Sequence, residues 1–130
     1  MTDGMTFLRS NHEPKLTLDR LAEAVASRGM KVFARIDFAA DAADAQLALP
    51  ATELLIFGNP KVGTLLLQQN QEIGIDLPLK ALAWTNGSDT WLAYNEPSHL
   101  ATRHGITADD IVAKMTAGVR SAVEEAISAG

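Results

Sequence analysis

The sequence predicts a single α+β domain over residues 1–130: a two-layer sandwich with one mixed sheet of about five strands and helices packed on one face. Three observations carry that expectation. Leu54-Leu55-Ile56-Phe57 is an unbroken apolar run between polar neighbours, as in a strand covered on both faces. Gly58-Asn59-Pro60 follows it directly, supplying a turn residue, an N-cap and a proline suited to the first helical position. Asn86-Gly87 lies between two runs of strand character and is the strongest hairpin signal in the chain.

Taken in order, Met5–Ser10 is short and alternates imperfectly, which suits an edge strand. Thr17 is placed to cap the first helix with Leu16 stapled onto Leu21; Leu18, Leu21, Ala22 and Val25 form its apolar stripe, and Gly29 ends it. Met30–Phe38 alternates as a strand, and the alanine-rich Ala39–Gln46 is a short helix that stops before Pro50. Thr52–Gly58 is then the central strand. The helix from Pro60 buries Val62, Leu65, Leu66 and Leu67, and Gln68–Gln71 forms its polar exit.

Ile73-Gly74-Ile75-Asp76-Leu77-Pro78 reads as an irregular connector whose isoleucines plug the domain edge. Leu79–Thr85 and Thr90–Asn95 pair antiparallel. A loop of Asn86–Asp89 sets Thr85 opposite Thr90 and Trp84 opposite Trp91, a cross-strand pair worth about 0.2–1 kcal/mol. The last helix spans residues 107–128, with Thr107 and Asp110 as a capping box and Ile106 stapled onto Ile111; Val112, Met115, Val119, Ala122 and Val123 face inward. Because Leu54–Phe57 and Ala81–Trp84 are apolar on both faces while the few long helices cover one, a second copy of the chain is expected on the other face.

Composition narrows the function classes. At 130 residues with 47% hydrophobic content, the chain buries a core without disulfides or a structural metal. A net charge of −5 lacks the clustered basic face that nucleic acid requires. The absence of cysteine removes disulfides, thiolate nucleophiles and cysteine-based zinc sites. The first residues resemble no export leader and no stretch has membrane-spanning length, so a cytoplasmic protein without a membrane partner is expected.

The residues that carry chemistry are few. Gly58-x4-Gly63-Thr64 has the outline of a phosphate loop but no lysine after the second glycine, so no nucleotide cofactor is expected. A simpler site for a small anion fits Gly58, Asn59, Lys61 and Gly63, where helix-start amides, the helix dipole and a lysine converge. Asp37 ends a strand beside that turn and is a candidate general acid or base. Tyr94, the one tyrosine, and His104, ahead of Gly105 at a helix end, are further catalytic candidates. Asp41 and Asp44 share a helical face, but no histidine stands with them. The five-residue spacing of His99 and His104 does not suit a zinc pair, and no metal is expected. No Gly-x-Ser-x-Gly elbow is present.

Ile56-Phe57-Gly58-Asn59-Pro60 with Lys61-Val62-Gly63-Thr64, then Asp76-Leu77-Pro78-Leu79-Lys80 and Tyr94-Asn95-Glu96-Pro97, in this order, resemble the domain-of-unknown-function 302 family over residues 16–105. The resemblance implies a small bacterial or archaeal α+β domain that forms dimers and has no established activity. It marks Asp37, Gly58, Asn59, Pro60, Leu77, Pro78, Tyr94 and Pro97 as pattern positions, while Phe38 stands where histidine is common. The expected function is a non-catalytic, dimeric module for small-ligand binding or regulation. The alternative is a small enzyme using Asp37 as general acid or base on an anionic small molecule.

Overall fold

The computed structural model describes residues 2–130. Its elements follow as β1 (Met5–Ser10), α1 (Pro14–Ser27), β2 (Lys31–Asp37), α2 (Phe38–Asp44), β3 (Thr52–Gly58), α3 (Pro60–Gln69), a 3-10 turn (Gln71–Ile75), β4 (Leu79–Asn86), β5 (Asp89–Asn95), α4 (Pro97–Arg103) and α5 (Asp109–Ile127). The five strands form one sheet in the order β1-β5-β4-β3-β2. The expected α+β sandwich is present, but every neighbouring pair is antiparallel, so the sheet is not mixed. The reason is topological. α1 carries the chain from β1 at one edge to β2 at the other, and these co-directional strands never become neighbours. β1 takes the expected edge, while β4 holds the centre and β3 lies one place from it.

Local chemistry moved several boundaries. α1 starts ahead of Thr17 because Glu13 caps it, its carboxylate accepting from the amides of Lys15 and Leu16, with Pro14 in the first turn. Thr17 is instead buried inside the helix and donates to the Glu13 carbonyl at 2.9 Å. The helix end expected at His104-Gly105 is that of α4, whose start the sequence left unplaced; Pro97 opens it, and Gly105 follows its end at φ +66°. α5 begins at Asp109 with no side-chain cap, so Thr107 and Asp110 form no capping box. Along α3 Leu66 alone is buried and Leu65 is exposed, and of the connector isoleucines Ile73 is buried while Ile75 is 75% exposed. The hairpin register is the expected one, Trp84 opposite Trp91, with one further pair, Asn86 and Asp89, shortening the loop to Gly87-Ser88.

α1 and α5 pack against one another and onto one face of the sheet. Leu18, Leu21 and Val25 of α1 and Val119, Ala122 and Val123 of α5 meet Leu55, Phe57, Ala81, Ala83 and Leu92 in one core. At its border Arg35 bonds Glu53 at 3.1 Å and Asp19 at 2.6 Å, which pairs the buried Glu53 carboxylate. The opposite face carries a row running across all five strands, Phe7, Ala93, Leu82, Leu54 and Ile36. Of these, Ala93 alone is buried and the rest are half-buried. Trp84 and Trp91 lie beside the row, and the Phe7 ring meets Trp84 edge-on with centroids 6.1 Å apart.

Candidate functional site

The turn after β3 is built as the sequence implies, and its own bonds define what it can bind. Asn59 caps α3 through Oδ1, which accepts from the amides of Lys61 at 3.0 Å and Val62 at 3.3 Å. The Gly63 amide donates to the Asn59 carbonyl at 2.8 Å, and Pro60 has no amide hydrogen. The first-turn donors that made an anion site attractive are therefore engaged within the helix.

Beside this turn lies a pocket of about 270 Å³. One wall is the turn and the first part of α3: Gly58, Asn59, Pro60, Gly63 and Thr64. The facing wall is Leu77-Pro78-Leu79, whose Leu77–Pro78 peptide is cis, with Gly74 above it. Leu67 and Met115 add apolar surface. Phe33 completes the lining because the β2–β3 ladder slips between Val32 and Ala34. Such a bulge re-aims a side chain and leaves it unpaired in the ladder. The Lys31 ammonium sits 5.1 Å over the Phe33 ring. The lining is largely apolar and carries no charged side chain.

The segment forming the far wall is fixed by charge. Asp76 accepts from His104 Nε2 at 2.6 Å and from Arg103 Nη1 at 2.8 Å. Burial alone would raise this carboxyl, but those bonds outweigh it and hold Asp76 below the ordinary carboxylate range. On the other side of Leu77, Lys80 donates to the carbonyls of Asp76 and Pro78, and burial pulls the ammonium below its usual range. Asn70 Nδ2 donates to the His104 carbonyl at 2.9 Å and joins the end of α3 to the end of α4.

Three of the expected ligand residues, Gly58, Asn59 and Gly63, line the pocket; Lys61 is exposed on α3 and does not. The expected catalytic residues lie apart. Asp37 is exposed at the β2 edge and caps α2, accepting from the Ala40 amide at 2.9 Å. Tyr94 is buried in the core, where burial, with the Glu96 charge adding to it, raises the phenol. His104 is occupied by Asp76. Among the described residues no group of three or more His, Asp or Glu side chains is placed to hold a metal ion. The sequence reading missed Phe33, Leu77, Pro78 and Met115 as lining residues. The adjacent Val32-Phe33 pair, which breaks the alternation of β2, was the available signal for Phe33.

A five-stranded antiparallel sheet backed by α1 and α5, with an apolar pocket at the exit of β3, defines a small α+β domain. The chain belongs to the family described as domain of unknown function DUF302, whose model matches residues 7–126 and so extends past the 16–105 resemblance at both ends. The crystal structure of an uncharacterized conserved DUF302 protein from Bacillus stearothermophilus has the same fold: TM-score 0.86 at 17% identity, over 96% of this chain and 99% of that one. Two curated relatives carry the name fluoride-specific ion channel FluC 1. The protein from Brucella suis biovar 1 (strain 1330) is 46% identical over 118 residues, which cover 88% of this chain and 46% of the relative. The one from Brucella abortus biovar 1 (strain 9-941) is 46% identical over the same length, covering 44% of the relative. This chain thus spans less than half the length of the curated relatives it matches. Among its described residues no helix is long and apolar enough to cross a membrane.

Proposed function

We propose that the domain is a non-catalytic, dimeric binding or regulatory module that takes a small, mainly apolar molecule in the pocket between Gly58-Asn59-Pro60 and Leu77-Pro78. The observation that carries this reading is the pocket itself, concave, largely apolar and fitted with a few polar groups, the usual build of a small-molecule site. The enzyme alternative has less support, because Asp37, Tyr94 and His104 reach neither one another nor this lining. The regulatory reading draws on the partial match to relatives named as ion channels. If the half this chain does not match carries the channel's membrane-crossing part, the matched half is a companion domain, and a cytoplasmic sensing role suits it. For the dimer, the occupant of the open sheet face is a second copy. The face measures roughly 19 by 23 Å from strand spacing and rise, about half of the roughly 800 Å² per partner of a standard interface, so a dimer through this face alone falls at the small end of interface sizes.

Amide chemical-shift titration with 1-octanol, acetate, phosphate and fluoride tests the pocket. Octanol is expected to move Gly58, Asn59, Gly63 and Thr64. A Cβ at Gly63 meets nothing within 4 Å, so the backbone there accepts a side chain, and Gly63→Leu is expected to occupy the pocket and erase the shifts at Gly58, Asn59 and Thr64. The small anions are expected to act weakly around Lys61 and to lose that effect in Lys61→Ala, since the helix dipole and one lysine are their only support. Unmoved pocket amides refute the site. Sedimentation equilibrium tests the dimer: 13.9 kDa at high micromolar concentration refutes it, and Trp84→Arg is expected to produce that monomer mass.

A further inference from the structure

Immediately beside the pocket runs a second groove, of about 520 Å³, between α5 and the end of α1. Asn59, Leu79 and Met115 line both, so the two share a wall across which a bound molecule could extend. Met115 is the part of that wall best able to yield, being unbranched and torsionally free. The chemistry of the two spaces differs. The pocket lining holds no charged side chain, whereas the groove is lined by Arg28 and Lys114 and by no carboxylate, in a protein of net charge −5. Arg28 is held in place: Nη1 donates to the Ala24 carbonyl at 2.9 Å and pairs with the Glu125 carboxylate at 3.5 Å, and Nη2 donates to Ser121 Oγ at 2.9 Å. Lys114 is exposed and forms no ion pair among the described residues.

We propose that pocket and groove form one site for an amphipathic monoanion: a hydrocarbon body in the pocket, and an acidic head across the Met115 wall between Lys114 and Arg28. The inference rests on the pocket reading above and adds the ligand's class and polarity. Its combined space falls within the range of about 300–1,000 Å³ found for small-molecule sites. It also relocates the anion, from the α3 start, whose amides are engaged, to cations on two other helices. Lys114 supplies the free charge there, and the fixed Arg28 guanidinium, partly offset by Glu125, adds oriented donors that the solvated Lys61 lacks.

Calorimetric titration with octanoate and with 1-octanol separates head from tail. Octanoate is expected to bind roughly fivefold tighter than octanol at low ionic strength and to lose that margin as salt rises. Lys114→Ala is expected to bring octanoate down to octanol and leave octanol unchanged, whereas Lys61→Ala alters neither. Lys114 is exposed, so its variant is expected to melt as the parent does, and a thermal melt confirms that. Equal affinities of the two probes in the parent protein, or a margin abolished by Lys61→Ala and not by Lys114→Ala, overturn the placement of the head while leaving the pocket reading intact. Failure of both probes to bind overturns both.

Discussion

The two faces of the sheet use the same strands and meet opposite surroundings. On β3 and β4, Leu55, Phe57, Ala81 and Ala83 have no exposed surface beneath α1 and α5, while Leu54, Ile56, Leu82 and Trp84 across the pleat are half-buried. Both sets are apolar, which is why neither strand shows the alternation of a half-wet sheet. Apolar character records that a face is to be covered; it does not record by what. One face is covered by the chain's own helices, and the other is the surface we assign to a second copy.

The sharpest way to break the comparison is to truncate equivalent side chains on the two faces. Phe57→Ala leaves a cavity in a packed core and is expected to cost about 3–5 kcal/mol, read as a lower denaturant midpoint at unchanged slope. Next comes the edge of the helix-covered face. Arg35→Ala strands the buried Glu53, and since Arg35 itself is partly exposed the expected loss is about 2 kcal/mol in the same assay. Equal stability of the variant and the parent would show that Glu53 finds other partners.

Asp76→Asn is expected to cost about 1 kcal/mol at neutral pH through the lost bonds to His104 and Arg103. The pH sign follows from the lowered carboxyl. Its contribution is complete above the unfolded value of 3.8 and is lost as pH falls through the lower native value, so variant and parent should converge in acid. A gap that persists unchanged in acid would assign the loss to packing. The smallest effect belongs to the open face. Ile56→Val removes one partly exposed methylene and is expected to cost less than about 1 kcal/mol at low protein concentration. A loss as large as that of Phe57→Ala would show the face to be filled already.

The legible parts of the fold were those set by contiguous residues. Asn59-Pro60 fixed a helix start, Gly29 a helix end, and Asn86-Gly87 a hairpin whose register was correct. The misreadings came where two local signals competed. Thr17 resembled a cap, but Glu13-Pro14 supplies a stronger one a turn earlier. Sheet order was not legible, because nothing local to β1 or β2 announces that α1 spans the sheet. The site divided in the same way. Its turn could be read, since Gly58, Asn59 and Gly63 are consecutive or nearly so. Its opposite wall could not, because Leu77, Pro78 and Met115 come together only through tertiary packing.

The clamp at the end of α5 bears on the order in which the molecule can form. Arg20 donates to the Ala126 carbonyl 106 positions later in the chain, and Asn11 and His12 bond the carbonyls of Ile127 and Ser128. α1 leaves synthesis with an apolar stripe whose other half, on α5, is made about eighty residues later. Closing so long a loop costs entropy before its contacts return any, which slows folding. An emerging chain therefore carries α1 and an unfinished sheet as exposed apolar surface until α5 is released, the interval in which a folding assistant would find most to hold.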